Sequence, residues 1–151
     1  MLDWTRSPYV AAYFAFVDKK EKQVAIYQFD ANKKYSISNE SIKIIIEDEP
    51  IATHKRHYLQ QSLYMLAVEK KRLDEMEGEY FVIKSIEESI SGFQKNPDNK
   101  DTLKKYLIDS SLRIDFLKRL DQMNINQMSL FGDEKAMVET IAMRHFEFDG
   151  N

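Results

Sequence analysis

Cysteine is absent from this chain of 151 residues, and glycine and proline are scarce, with four and three residues. The lack of cysteine excludes disulfide scaffolds, thiolate metal sites and cysteine nucleophiles, and it favours a cytoplasmic setting. Four glycines argue against a glycine-rich phosphate loop, and no serine lies in a nucleophile-elbow motif. These absences remove several of the common catalytic motifs.

An excess of basic charge and a long apolar run are also missing. Lys and Arg total 22 against 25 Asp and Glu, and the two signs are interspersed, whereas nucleic-acid binding needs a clustered basic surface. The apolar run at residues 9–17 is shorter than the roughly 20 residues that span a bilayer, and no basic segment precedes it. We therefore expect neither nucleic acid nor a membrane as a partner.

What is present is typical of a folded globular protein. Hydrophobic residues make up 43% and charged residues 31% of the chain. Helical and strand patterns are interleaved, and several strand connections are too short for parallel crossovers. We expect an α+β fold in a single domain over residues 1–151, with a mixed, largely antiparallel sheet of about five strands packed with about four helices.

Local signals place these elements. Ser7 and Pro8 predict the start of a helix that runs to about Val17 and is buried on most sides. Runs of apolar residues and the alternation expected of strands predict strands at residues 24–29, 42–46, 62–68, 80–86 and 103–108. The predicted central strand 24–29 is apolar on both faces. Further helices are expected after Thr53, over residues 109–123 and from Asp133 to about His145, with residues 91–101 as an exposed loop and 124–133 as a connection.

The stretch "DWT" at residues 3–5 carries the first candidate chemistry. Trp4 offers a flat face and one N–H donor, Thr5 a hydroxyl and Asp3 a carboxylate, just before a helix start that carries free backbone donors. This combination suits a pocket for a planar, polar ligand. The alternative, which composition favours, is that Trp4 fills the core while Asp3 and Thr5 order the turn.

A second polar set lies in "KRHYLQQSLY". Arg56 and Gln60 are four residues apart and share a helix face, where a guanidinium and an amide together suit a phosphate or a carboxamide. The alternative is that Arg56 ties its helix to Glu47 or Asp48.

The three histidines are a weaker signal. His54 and His57 are three residues apart, but no third ligand is evident near them or near His145. We therefore interpret them as surface residues and expect no metal site.

Taken together, the segments resemble the FRG domain family. "MLDWTRSPYVAAYFAF" is similar to its Leu-Asp-Trp-Thr core followed by Pro and a small-residue helix, "RHYLQQSLY" to a later Arg and Gln segment, and "FLKRLDQMNINQMSLFGDEKAMVETI" to its closing helices. Family members usually carry a Phe-Arg-Gly motif and a Gln-His-Gly-Leu-Pro-Thr-Arg approach before the Trp. The resemblance thus implies an FRG-like domain lacking its usual N-terminal part, with an upstream polypeptide as a candidate partner. Ser62 stands where Gly is common, Tyr64 where Phe is common and Gly132 where Pro is usual.

The layout of that family is similar to ADP-ribosyltransferases. This implies a nucleotide site with NAD as the candidate cofactor and with ligand contacts from Asp3, Trp4, Thr5, Tyr13, Arg56 and Gln60. Turnover is not expected, because the first-motif Arg is missing and Gln60 stands where a carboxylate would stabilise an oxocarbenium-like cation. Catalytic residues are therefore not assigned. The alternative is a non-catalytic protein- or ligand-binding module in a bacterial stress or phage-defence setting.

Overall fold

A computed structural model describes residues 2–19, 22–30, 42–47, 55–72, 79–84 and 103–149. Its helices and strands alternate along the chain, which confirms the α+β class. The elements are β1 (Leu2–Thr5), α1 (Pro8–Phe16), β2 (Gln23–Phe29), β3 (Ile42–Glu47), α2 (Lys55–Leu59), β4 (Ser62–Arg72), β5 (Glu79–Lys84), β6 (Leu103–Asp109), a 3₁₀ turn (Ser110–Leu112), α3 (Arg113–Gln122), α4 (Gln127–Phe131), α5 (Glu134–Ala142) and a π-helical segment (Met143–Phe148).

Strand β4 organises the larger sheet. It pairs with β1, β3 and β5, while β2 and β6 pair with each other in a second sheet. The pairing with β3 is antiparallel and runs from Ile42 opposite Glu69 to Glu47 opposite Tyr64. The pairing with β5 is also antiparallel. The expected prevalence of antiparallel pairs is thus confirmed, although the described strands lie in two sheets.

The chain divides into two compact units. The first contains residues 1–4, 27–48 and 63–105, and so includes most of the larger sheet. Within it Met65 and Val68 of β4 are both buried. Because side chains alternate along a strand, these two residues lie on opposite faces of the sheet, so β4 is covered on both sides.

The second unit contains residues 5–26, 49–62 and 106–151, and so includes every helix among the described residues. Its core lies between α1 and α3, where Tyr13, Phe16 and Leu117 are almost fully buried. The rings of Phe16 and Phe116 stack with their centroids 4.5 Å apart. Helix α1 therefore supplies the aromatic centre of this unit.

Helix α1 begins as the sequence predicted. The Ser7 side chain accepts a hydrogen bond from the backbone N–H of Val10, and Pro8 occupies the first turn. The expectation that the helix is buried on most sides was wrong in part, because Tyr9 and Phe14 are 52% and 42% exposed. Large aromatic side chains in an apolar run thus face solvent as well as the core.

The segment 124–133, predicted as a connection, contains helix α4. Its start is set by Asn126, whose side chain and backbone exchange hydrogen bonds with Ser129 in a capping box. Its end is set by Gly132 in the left-handed region. A helix of five residues is too short to show a helical repeat of apolar residues. Its capping residues were the signal in the sequence that could have predicted it.

Three further details differ from expectation. Strand β2 is not buried on both faces, because Val24 is its only buried residue. Among the described residues it pairs with β6 alone, so it is not a central strand. Strand β4 continues through Arg72, beyond the predicted residue 68. The helix predicted over residues 109–123 is shorter, because α3 spans Arg113–Gln122 and a 3₁₀ turn precedes it.

Some predictions fall on other parts of the chain. The predicted cap Thr53 and the loop 91–101 lie outside the described residues. In the part of the chain that the structure describes, no helix has the length and apolarity needed to cross a bilayer.

Candidate functional site

The six residues expected to contact a ligand fall into two groups. Thr5, Tyr13, Arg56 and Gln60 belong to the second unit, whereas Asp3 and Trp4 belong to the first.

The hydroxyl of Thr5 both donates and accepts a hydrogen bond within the chain. It donates to the backbone carbonyl oxygen of Gln60 at 2.7 Å and accepts from the backbone N–H of Ser7 at 3.1 Å. Next to it, the backbone N–H of Arg6 donates to the carbonyl oxygen of Gln61 at 3.1 Å. These contacts agree with the alternative in which Thr5 orders the turn before α1 and joins it to the residues after α2.

Arg56 and Gln60 both contact α4, although Gln60 follows the last residue of α2 and does not belong to the helix. The Gln60 side-chain amide donates to the carbonyl oxygen of Leu130 at 3.2 Å, near the end of α4. The Arg56 guanidinium lies over the Phe131 ring, 5.1 Å from its centroid. Both side chains therefore dock α2 against α4.

Arg56 also has an anionic partner that sequence reasoning did not name. Its Nη2 donates to Oδ2 of Asp133 at 2.8 Å, and both side chains are 44% exposed. Asp133 at the same time caps α5 by accepting from the backbone N–H of Ala136. This backbone bond, and secondly Arg56, lower the pKa of Asp133, so the carboxylate stays charged at neutral pH. The capping role was predicted from sequence, but the pair with Arg56 joins residues 77 positions apart.

Tyr13 is buried, and its hydroxyl donates to Oε1 of Gln127 at 2.5 Å, at the first residue of α4. Burial raises the pKa of Tyr13 to about 12, and the Glu139 carboxylate pushes it in the same direction. The phenol is thus a protonated donor at neutral pH and cannot serve as a base. Its role in the fold is to join α1 to α4.

Aromatic contacts extend this junction to the surface. Phe14 packs edge-on against both Tyr13 and Phe131, with centroids 5.7 Å and 6.1 Å apart. Arg56 covers Phe131 from α2. Helices α1, α2 and α4 therefore meet in one aromatic and cationic cluster formed by Tyr13, Phe14, Arg56 and Phe131.

In the first unit, Trp4 is half-buried and packs at a tilt against Phe29, with ring centroids 6.0 Å apart. Its indole N–H is covered from solvent and has no hydrogen-bond partner among the described residues. A donor that has lost water without gaining an acceptor costs about 1–3 kcal/mol. Asp3, one residue earlier on β1, is exposed.

The histidines do not add a metal centre to either group. His57 lies in α2 and His145 in the π-helical segment, while His54 lies outside the described residues. Among the residues with a described position, no group of three or more His, Asp or Glu side chains is arranged to hold a metal ion.

The backbone is left-handed at two positions near the ends of α2 and α4, Gln61 and Gly132. Gly132 has a φ of +70°, in the left-handed region that glycine adopts without strain. Gln61, the residue before Ser62, also lies in this region, with a φ of 49°.

The first part of the chain is similar to a known protein family. Residues 1–24 match the FRG domain family. The match runs from β1 through α1 into β2 and includes Asp3, Trp4, Thr5 and Tyr13, while Arg56 and Gln60 lie beyond it. No curated protein and no solved structure matches the chain. The chain is therefore an α+β protein whose first 24 residues are similar to the FRG domain.

Proposed function

We propose that this chain is an FRG-like binding module that holds a nucleotide of the NAD type beside Trp4 and does not transfer ADP-ribose. The observation that carries the proposal is the covered indole N–H of Trp4, which has no acceptor among the described residues. It lies inside the segment that matches the FRG domain. Buried polar groups are nearly always hydrogen-bonded, so an exception calls for a missing partner.

The chemistry of a nucleotide suits this residue. Nicotinamide and adenine each combine a flat aromatic ring with a hydrogen-bond acceptor. An indole can stack on such a ring and donate its N–H to such an acceptor. The indole nitrogen of Trp4 is covered by neighbouring protein atoms. Binding therefore includes a small displacement of those atoms, and the new hydrogen bond offsets that cost.

The other predicted contacts support binding without turnover. Thr5, Tyr13 and Gln60 each use a side-chain polar group in a hydrogen bond that joins two segments of the second unit. Glycosidic cleavage of NAD needs a carboxylate near the developing cation. Asp133, beside Arg56, is already bound by that guanidinium and by a backbone N–H. Asp3, next to Trp4, is exposed to solvent, where water weakens the stabilisation of a cation.

The sole Trp makes a direct test available. Because the chain contains one Trp, its fluorescence reports on Trp4 alone when it is excited at a wavelength that tyrosine does not absorb. We expect NAD and ADP-ribose to change this emission saturably. Saturation-transfer NMR should show contact to the nicotinamide or adenine ring. If neither compound alters the emission or gives a transfer signal, the proposal is wrong.

Two variants locate the site. Trp4→Phe keeps an aromatic ring but removes the N–H, and we expect it to weaken binding about tenfold, the equivalent of one lost hydrogen bond of about 1.4 kcal/mol. Calorimetry measures this without fluorescence. Tyr80→Phe is the matched control, because Tyr80 is an exposed aromatic residue of the same unit. Incorporation of labelled ADP-ribose into any protein of a lysate would contradict the absence of transferase activity.

A further inference from the structure

Helix α5 and the π-helical turn after it have one face directed into the second unit. Ala136 and Thr140 are buried, and Met143 and Glu147 are half-buried. The spacing of these four residues is that of one helical stripe. The stripe on the opposite side lies two positions away and consists of Glu134, Val138, Ile141 and His145.

This outer stripe is apolar at its centre. Val138 is 66% exposed and Ile141 is 52% exposed, and two flanking residues, Met137 and Phe146, are 50% and 74% exposed. Single exposed apolar side chains are common, but several on the outer side of α5 and the π-helical turn after it are typical of an interaction site.

The ends of the stripe differ in chemistry. Glu134 begins α5 and has no ion-pair partner among the described residues. His145 lies at the other end beside Arg144, which is bound to Asp121. The stripe therefore presents an acidic acceptor at one end and a nitrogen donor at the other.

We propose that this stripe binds the same stripe of a second copy of the chain, with the two α5 helices antiparallel. The pattern Glu, Val, Ile, His is complementary to its own reverse. A two-fold axis between Val138 and Ile141 places each Val138 against the partner's Ile141. The same axis places each Glu134 against the partner's His145. An isologous contact of this kind satisfies both copies equally.

Charge complementarity favours a second copy over other occupants. The antiparallel arrangement sets Glu134 at the start of each α5 beside the imidazole of His145 in the π-helical turn of the other copy, and it also opposes the two helix dipoles. Lys135 does not disturb this match, because it pairs with Glu139 of its own helix at 3.5 Å. A surface with Glu134 and Glu139 is poorly suited to anionic lipid.

The mass of the full chain in solution tests the proposal. An interface built on one helix is small, so the dimer should be weak and the measurement should cover about 1 to 500 μM by sedimentation equilibrium. We expect the mass to rise with concentration from 17.9 kDa towards twice that value. Ile141→Lys should raise the dimer Kd about tenfold or more. Met123→Lys, which charges an equally exposed apolar side chain outside the stripe, should leave the Kd unchanged.

A change of charge at each end of the stripe tests the antiparallel register. Glu134→Lys and His145→Glu should each weaken self-association. In the first variant a lysine faces the His145 imidazole of the other copy, so two donors meet. In the second a glutamate faces Glu134 of the other copy, so two carboxylates meet. A mixture of the two variants should dimerise again, since both contacts in the mixed dimer are then complementary. Circular dichroism checks that each variant is folded. A wild-type chain that stays monomeric throughout, or a mixture that does not recover, would overturn the proposal.

Discussion

The guanidinium of Arg113 donates a hydrogen bond of 2.9 Å from Nε to the backbone carbonyl oxygen of Phe16, at the end of α1. Its Nη2 donates to the carbonyl oxygen of Val17 at 2.9 Å, and Nη1 pairs with Glu147. The last carbonyl groups of a helix have no partner within it. The first residue of α3 thus closes α1 from a position 97 residues away.

Replacement of this buried side chain should be costly. Arg113→Met removes the donors from two carbonyl oxygens and leaves Glu147 without its cation, and we expect the free energy of unfolding to fall by about 3 kcal/mol. Urea denaturation gives the value. Arg119→Met is the control, because Arg119 is exposed on the same helix and should change stability by less than about 0.5 kcal/mol. Equal losses for the two variants would contradict this role of Arg113.

The hydroxyl of Thr5 should matter for stability. Thr5→Val keeps the shape of the side chain but removes the bonds to Gln60 and Ser7, so we expect a loss of about 1–2 kcal/mol. Thr5→Ser retains the hydroxyl and should lose much less. Thermal unfolding of the three proteins compares them. If valine is tolerated as well as serine, the two hydrogen bonds contribute nothing to stability and Thr5 does not order the turn before α1.

Two of the left-handed residues, Gly132 and Gln61, should respond oppositely to substitution. Gly132→Ala forces a side chain into the left-handed region and should cost about 1 kcal/mol. Steric overlap is not the cause, since an added Cβ would lie 3.6 Å from Cδ1 of Leu59, an ordinary contact. Gln61→Gly relieves the same strain, which raises stability by up to about 1 kcal/mol. The greater entropy of glycine in the unfolded chain offsets part or all of this gain, so stability should be unchanged or slightly higher. Chemical denaturation that finds both variants equally destabilised would contradict this difference.

Tyr13 should make the fold sensitive to alkaline pH. Its pKa is about 12 in the folded chain against about 10 when unfolded, so between these values the unfolded state loses the proton first. The stabilising contribution is complete below pH 10 and is lost as the pH rises towards 12, by roughly 2–3 kcal/mol. Tyr13→Phe lacks this titration. We expect wild type to be the more stable protein at pH 8 and its advantage to shrink or reverse at about pH 11.5. A constant difference in urea unfolding would exclude the effect.

Much of the fold could be predicted from local pattern. The cap formed by Ser7, the strand at Ile42 and the start of α5 at Asp133 all follow from residues adjacent in sequence. Helix α4 was missed because a five-residue helix carries no period. The distribution of strands over two sheets depends on pairing between distant segments, which no local signal encodes.

The candidate site was predictable in its residue types more than in its contacts. Arg56 and Gln60 both contact α4, although only Arg56 lies within α2, and the FRG-like segment around Trp4 matches over residues 1–24. Whether these residues contact a ligand stays a prediction. The partners Asp133 and Leu130 were not foreseeable, because they lie 70 or more residues further along the chain.

By itself, the sequence determined the α+β class, the start of α1 and the positions of most strands, because capping and alternation act over a few neighbouring residues. Only the tertiary structure decided which polar groups are engaged. Thr5 is bonded to Gln60, Tyr13 to Gln127 and Arg56 to Asp133, whereas the indole N–H of Trp4 is covered without an acceptor among the described residues. Hydrogen bonding between distant segments is settled by packing, since each donor takes whichever acceptor the folded chain brings within reach.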